Sequence, residues 1–499
     1  MSASLWLSWQ DNVALTTSDD RSVVTGPGKR IAWRAVAPEI VAAMRRLNPP
    51  GEDEGQLAES VLASGGVHSL ARWYHHVDEL FRRGLIRRAL YASGNLIATV
   101  VPLGRELGSP APTDSTAPNA SGDRHLPWVL NPHRSSATPD KSYLLSRFAY
   151  IRREGSALVL ESPLAHARVV LHDPRAMALI AMLAAPTTTK LLAERATEMS
   201  PSAVTSLIAL LADTRIIDQV GADAEPSESD HSALDTWEFH DLMFHARSRP
   251  GRTDGQFGAT YRMPHLPPPS ALKAADEPPG HDLYRPDLQR LERDDPPLAF
   301  VQEHRQSIRR YAAQPITQEQ LGEFLYRVAR VTNQWKSEVD TPTGSVTMEF
   351  AARPYPAGGG LNELEFYLAV RACRGLEAGL YHYDPEHHRL HPLCAADHDV
   401  ECLLDEAAAS AGIAAETLQV LVILTARFQR LAWKYESIAY SLILKHVGVV
   451  YQTMYLAATA MGLAPCALGC GDSDRFARAA GIDYYLESSV GEFLLGSRE

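Results

Sequence analysis

Residues 105–140, RELGSPAPTDSTAPNASGDRHLPWVLNPHRSSATPD, are rich in Pro, Ser, Thr and Asn and carry almost no apolar periodicity. Such a stretch lacks the recurring hydrophobic face that a helix or strand buries, so it divides the chain. A second division falls at 218–234, DQVGADAEPSESDHSAL, which is acidic and built from small residues. At 499 residues the chain also exceeds what one hydrophobic core usually serves. Three pieces remain, residues 1–104, 141–218 and 236–499, joined by linkers at 105–140 and 219–235.

The first piece reads as helices around EIVAAMRRL, QLAESVL and LARWYHHVDELFRRGLI, the last with Leu70, Trp73, Val77, Leu80 and Phe81 at helical spacing. The strand pair IRRALYAS and NLIATVVPL follows. Three helices and a hairpin in that order make a winged helix. The second piece repeats these parts, with strands SYLLSRFAYIRREG and ALVLESPL and helices PRAMALIAMLA, TTTKLLAERAT and SPSAVTSLIALLADTRIID. In the last of these Ser200 is placed to cap the helix and Pro201 to occupy its first position, where a missing N–H costs nothing.

Tandem winged helices usually bind DNA. Here SAVTSLIALLAD carries no Arg or Lys before Arg215, whereas a recognition helix needs donors for phosphates and base edges. The rival use is a peptide clamp, in which an extended segment adds a strand to the edge of the wing. The formal net charge of −12 also argues against a polyphosphate partner.

The five cysteines, Cys373, Cys394, Cys402, Cys466 and Cys470, lack paired zinc spacing and read as reduced thiols of a cytoplasmic protein. The start, MSASLWLSWQDNVALTT, lacks the basic and apolar regions of an export signal. No window reaches the roughly 18 apolar residues of a spanning helix. No nucleic acid, membrane or metal is expected.

In the third piece, EHRQSIRRYAAQPIT gathers Arg305, Ser307, Arg309 and Arg310, with Pro315 and a Thr317 cap before the helix QEQLGEFLYRVAR. Such donors suit a dianion, although the cluster alone also reads as a solvated basic turn. RPYPAGGGLNELEFYLAV sets Gly358 to Gly360 before an alternating strand, where absent side chains let backbone N–H groups approach a flat ligand. GLEAGLYHYDPEHHRLHPL reads as two strands about an Asp384–Pro385 turn, and LQVLVILTARF as a buried central strand. Lys434 and Tyr435 stand at the mouth of a largely apolar helix that runs to residue 462. Either Lys434 snorkels over apolar surface while Tyr435 packs its ring, or the pair does chemistry.

These motifs resemble the SagB-type dehydrogenase branch of the nitroreductase-like FMN flavoproteins, the oxidases that turn azolines into azoles in ribosomally made peptides. The matching signatures are R-x-S-x-R at 305–309, RPYPAGGG at 353–360, GLYHYDP at 379–385, the Lys434–Tyr435 pair, and GLAPCALGCGDSDRFARAAGIDYYLESSVGEFLLG at 462–496. WEFHDLMFHARSRPGRT at 237–253 is similar to the lead-in of long members, including cyanobactin-type oxidases.

The resemblance implies an α+β chain in which a C-terminal nitroreductase-like FMN domain follows two winged-helix-like peptide-clamp modules. It implies that Arg305, Ser307 and Arg309, with Arg498, hold the FMN phosphate. Pro356, Ala357, Gly358 and Gly359 would run along the isoalloxazine, with Ala357 standing where members commonly carry serine. Gly469, Cys470 and Gly471 would face its reactive edge.

Lys434 and Tyr435 would be catalytic, acting as one coupled base while a thiazoline or oxazoline in a precursor peptide gives its hydride to FMN and oxygen takes the electrons. A homodimer is implied, with the helix after the pair at the interface; a cyclodehydratase partner stays open. NAD(P)H-dependent nitro or quinone reduction on the same fold, and a catalytically inactive peptide-binding scaffold, are the alternatives.

Overall fold

The computed structural model describes residues 3–18, 20–27, 29–103, 139–220, 232–250, 256–274 and 280–499. The cores of both expected linkers, 105–138 and 221–231, lie outside the described residues. The chain forms two compact units, Met1–Gly255 and Gln256–Glu499.

In the first unit, helix Pro38–Arg45 is followed by Glu54–Arg82, which joins the two expected helices across a bend at Gly66, where φ is 70°. Trp73, Val77, Leu80 and Phe81 are buried, as their spacing requires. The hairpin Ile86–Ala92 and Asn95–Pro102 turns through Ser93 and Gly94, both at positive φ, the geometry that matches strand twist.

Two strands go beyond the local pattern. Ala3–Trp9 pairs antiparallel with Ile86–Ala92 and carries Leu7 and Trp9 into the core. Ala167–Leu171 pairs with Asn95–Pro102, setting Val169 opposite Val100. The two winged-helix-like modules therefore share one seven-stranded sheet and one core, to which both Trp73 and Leu207 belong.

The cap at Ser200 forms as expected, its hydroxyl accepting the Ala203 N–H, with Pro201 in the first turn. Helix Phe239–Arg247 also belongs to this unit: Arg247 donates to the Tyr150 hydroxyl at 2.9 Å and pairs with buried Glu161. The expected opening of the third piece at 236 thus falls inside the first unit.

The second unit is built on a seven-stranded antiparallel sheet. Its order is His281–Asp282, Arg389–Ala395, Gly379–Asp384, Leu364–Val370, Val420–Arg427, Glu487–Ser497, Leu463–Leu468. The central strand Val420–Arg427 is covered on both sides: Val422 and Leu424 enter one core, Leu421 and Ile423 the other. That double burial is why its sequence is apolar without alternation.

Helices Gln318–Ala329 and Ala439–Ala460 pack on the first face, and His398–Ala411 with Phe476 on the second. Thr317 caps its helix in a reciprocal box with Gln320. Asp384 accepts the N–H groups of Glu386 and His387, fixing the turn after its strand. All five cysteines are free. No helix among the described residues is long and apolar enough to cross a membrane.

Candidate functional site

Lys434 and Tyr435 precede the long helix rather than opening it. Tyr435–Glu436 is a short strand paired with Gly258–Ala259, and Ser437, at φ 66°, turns the chain before the helix starts at Ala439. The segment carrying Gly258 straps the pair down: the Tyr261 N–H donates to the Lys434 carbonyl at 3.0 Å, and the Thr260 hydroxyl to Glu436 at 2.9 Å. Lys434 Nζ lies 5.7 Å from the centroid of the Tyr261 ring. Both residues are half-buried. Burial pushes the Lys434 amine below the usual lysine range, whereas burial, and then the nearby Tyr261, push the Tyr435 phenol up.

The glycine turn meets this pair. Gly359 has φ 61°, and a Cβ built on it would lie 2.7 Å from both Lys434 Nζ and Tyr435 OH. Two atoms each that close to one point are near neighbours, so amine and phenol converge on the turn. Pro356 is exposed, Ala357 is extended, and the Gly360 N–H closes the turn on the Ala357 carbonyl at 3.1 Å.

Behind it, the Gly358 N–H donates to His446 Nε2 at 2.7 Å, and His446 Nδ1 bonds Glu363 Oε1, also at 2.7 Å. Arg430, almost wholly buried, donates to the Leu361 carbonyl at 2.9 Å. Burial depresses its pKa to about 10.

The cationic cluster is tied to the same long helix. The Ser307 and Tyr455 hydroxyls bond at 2.7 Å, the Tyr455 oxygen accepts the Ala467 N–H at 2.8 Å, and the Arg305 guanidinium lies 5.0 Å from the Tyr455 ring centroid. Arg309 is exposed; burial pushes the Cys466 thiol up, and the Arg309 charge and the Ser307 hydroxyl only partly offset this. Among the described residues neither Arg305 nor Arg309 has a carboxylate partner. Arg498 is exposed beyond the last strand, and among the described residues no hydrogen bond or ion pair joins it to this cluster.

Gly469, Cys470 and Gly471 follow the edge strand Leu463–Leu468. The exposed Cys470 Sγ is 3.5 Å from Ser410 Oγ. A Cβ on Gly471 would collide with the Glu492 carboxylate, which burial pushes up to about 7. Cys470, Gly471 and Glu492 border a cavity of about 240 Å³, whose apolar wall includes Leu403, Ile423 and Phe476.

The structure thus brings Lys434, Tyr435, Gly358 and Gly359 together. Arg305, Ser307 and Arg309 form a second group, and 469–471 a third. Local sequence pattern gave no indication of Tyr261, Tyr455, His446 or Glu492. For Glu363 a signal existed: in LNELEFYLAV a carboxylate sits directly before the alternating buried strand, where charge persists only with a partner.

Residues 1–108 match the family described as ThcOx helix turn helix domain, residues 143–254 match Cyanobactin oxidase ThcOx, and residues 303–496 match the Nitroreductase family. The chain carries a nitroreductase-family domain behind ThcOx-type domains. The resemblance to long, cyanobactin-type oxidases is borne out, and the C-terminal unit is of an oxidoreductase family.

A putative nitroreductase of Methanocaldococcus jannaschii is 27% identical over 38% of this chain and 83% of its own length. The trifolitoxin-processing protein TfxB of Rhizobium leguminosarum bv. trifolii is 25% identical over 34% of this chain, and the match spans 47% of TfxB. An E. coli microcin synthetase complex with truncated pro-MccB17 aligns over 46% of this chain and 79% of the matched chain, at 18% identity and a TM-score of 0.32.

Proposed function

We propose that the protein oxidises azoline rings, thiazoline or oxazoline, in a peptide precursor, using FMN. The observation that carries this reading is the convergence of Lys434 Nζ and Tyr435 OH on the Gly359 turn, with the amine depressed and the phenol raised.

The residues fit a flavin mononucleotide. Arg305 and Arg309, without carboxylate partners among the described residues, and Ser307 offer donors to a phosphate dianion. The turn carries no side chain at Gly358 or Gly359, and a Cβ on Gly359 would come within 2.7 Å of Lys434 Nζ and Tyr435 OH, so only glycine lets the turn lie against the pair. His446, behind that turn, and Tyr455, beside the cations, are nine residues apart on one helix, so about 13 Å separates the two ends. That span suits a flat ring linked to a phosphate. Gly469, Cys470 and Gly471 would line the ring from the neighbouring strand end, and Arg498 would add charge at the phosphate. Bound there, FMN would supply the acceptor for the hydride that ring oxidation releases, with oxygen as the final acceptor of its two electrons, leaving as peroxide.

The chain's own contribution is proton management. An amine depressed by burial is available in its neutral form nearer to neutral pH, so Lys434 Nζ accepts the proton lost from the azoline carbon. Tyr435, held neutral, keeps its O–H as a donor beside the amine. The two groups divide acid and base roles because burial pushes their pKa values apart. Tyr261 and its strap cover Lys434 from one side and help to exclude water.

The first unit would hold the peptide away from the reacting ring and supply remote binding energy. A second copy of the chain would cover exposed Tyr440 and Leu444, one turn apart on the long helix; a cyclodehydratase would supply the azoline.

An anaerobic titration of the purified protein with a synthetic thiazoline peptide tests the reading. Bleaching of the flavin band with a loss of two mass units from the peptide is expected. A flavin that bleaches only with NADPH would make the protein a reductase, and a chain that retains no flavin would leave a peptide-binding scaffold.

A further inference from the structure

His446 is buried on an apolar helix, and both of its ring nitrogens are committed. Nε2 faces a backbone N–H, that of Gly358, which can only donate; Nε2 must therefore be the unprotonated acceptor. The proton then resides on Nδ1, which donates it to Glu363 Oε1. Glu363 is fully buried, its other oxygen has no hydrogen-bond partner among the described residues, and its side chain's hydrogen bond is to this imidazole, with the charge of Arg430 acting on it from farther off. A carboxylate buried in that way selects one tautomer of its histidine, as second-layer carboxylates do behind metal-bound imidazoles.

The selected tautomer matters because of what Gly358 carries. The next residue, Gly359, is the left-handed glycine on which Lys434 Nζ and Tyr435 OH converge. A Cβ on Gly358 would lie 3.2 Å from His446 Nε2, so the ring also packs against the turn. With the opposite tautomer, two N–H groups would face each other across the 2.7 Å contact and the turn would have to move.

We propose that Glu363 and His446 form a positioning dyad that fixes the Gly358–Gly360 turn, and through it the placement of the substrate ring and flavin against Lys434 and Tyr435. This inference rests on the azoline-oxidase reading for its consequence but not for its geometry. Neither residue touches the reacting atoms; both act through Gly358.

Two measurements test it. Long-range ¹H–¹⁵N correlation of histidine-labelled protein at neutral pH, with the His446 signals identified by their loss in His446→Gln, reads the tautomer directly. Protonated Nδ1 with bare Nε2 is expected, and a protonated Nε2 would overturn the dyad; this readout needs neither flavin nor substrate.

The second measurement is azoline turnover and flavin absorbance of His446→Leu beside His446→Gln. Loss of the acceptor in His446→Leu should lower kcat about a hundredfold, as a small misplacement of reacting groups does, with KM for the peptide within about twofold. The Gln side-chain oxygen can take the Gly358 N–H, so His446→Gln should recover most of that loss and restore the flavin band position. Equal activity of His446→Leu and wild type, or no rescue by Gln, would refute it.

Should His446→Leu fail to fold, Glu363→Gln replaces it: a changed tautomer population with reduced kcat supports the dyad, and wild-type values of both refute it. Wild-type protein that folds with the stated tautomer yet oxidises no azoline would reject the functional reading while leaving the dyad's geometry intact.

Discussion

Lys434 Nζ lies 5.4 Å from the centroid of the Tyr435 ring, and burial moves the proton affinities of these adjacent residues in opposite directions. A neutral amine beside a neutral phenol is the state that burial favours.

That state sets the pH dependence of turnover. The rate should rise with pH until Lys434 has lost its proton, at a value below the 10.5 of a free lysine, and fall again only as Tyr435 ionises, above 10.0. Lys434→Ala should cost about a hundredfold or more in kcat. Lys434→Arg, which stays protonated, should be no better. Tyr435→Phe should remove the alkaline limb. Stopped-flow reduction of the flavin across pH reads all three.

Gly359→Ala should weaken both fold and function. A side chain at φ 61° costs about 1–2 kcal/mol, and its Cβ would displace the amine and the phenol. A lower urea midpoint together with loss of turnover is expected; a variant as stable and as active as wild type would contradict the close fit of the turn.

Tyr455→Phe removes the partner of Ser307 and leaves the Ala467 N–H unsatisfied. An unmade hydrogen bond at a buried group costs about 1–3 kcal/mol. If Ser307 and Arg305 hold the phosphate, flavin should dissociate about tenfold more readily, at the usual exchange of about 1.4 kcal/mol per decade. Fluorescence of released flavin during dilution measures this.

Glu492 makes stability fall as pH rises. Its folded pKa of about 7 stands above the ordinary 4.5, so the folded state binds the extra proton between these values. The stabilisation is complete below pH 4.5 and lost as pH passes 7, amounting to about 3 kcal/mol at most. Glu492→Gln should flatten this part of the curve. Thermal midpoints across the window, with and without the substitution, check it.

What the sequence disclosed, and what it hid, divides by distance along the chain. Thr317 and Ser200 cap helices with bonds to residues three positions on, so their roles were readable locally. The central strand was legible because LQVLVILTARF is apolar on both faces. Ala3–Trp9 was not, since its partner Ile86–Ala92 lies about eighty residues away and its own alternation is weak. The same holds for His446, whose two partners, Gly358 and Glu363, stand 88 and 83 positions upstream. Within an apolar helix a lone imidazole looks like a core residue until the turn it meets is known. Lys434 and Tyr435 were visible as a pair, but their detachment from the helix depends on Ser437 adopting φ 66°, which no local pattern announces.

The seam between Asn95–Pro102 and Ala167–Leu171 bears on any attempt to transplant the first unit of this protein. Cutting between the two winged-helix-like modules would strip a row of backbone donors and acceptors from each fragment and leave two open sheet edges prone to self-association. A chimera that borrows the first unit must therefore take both modules as one cassette.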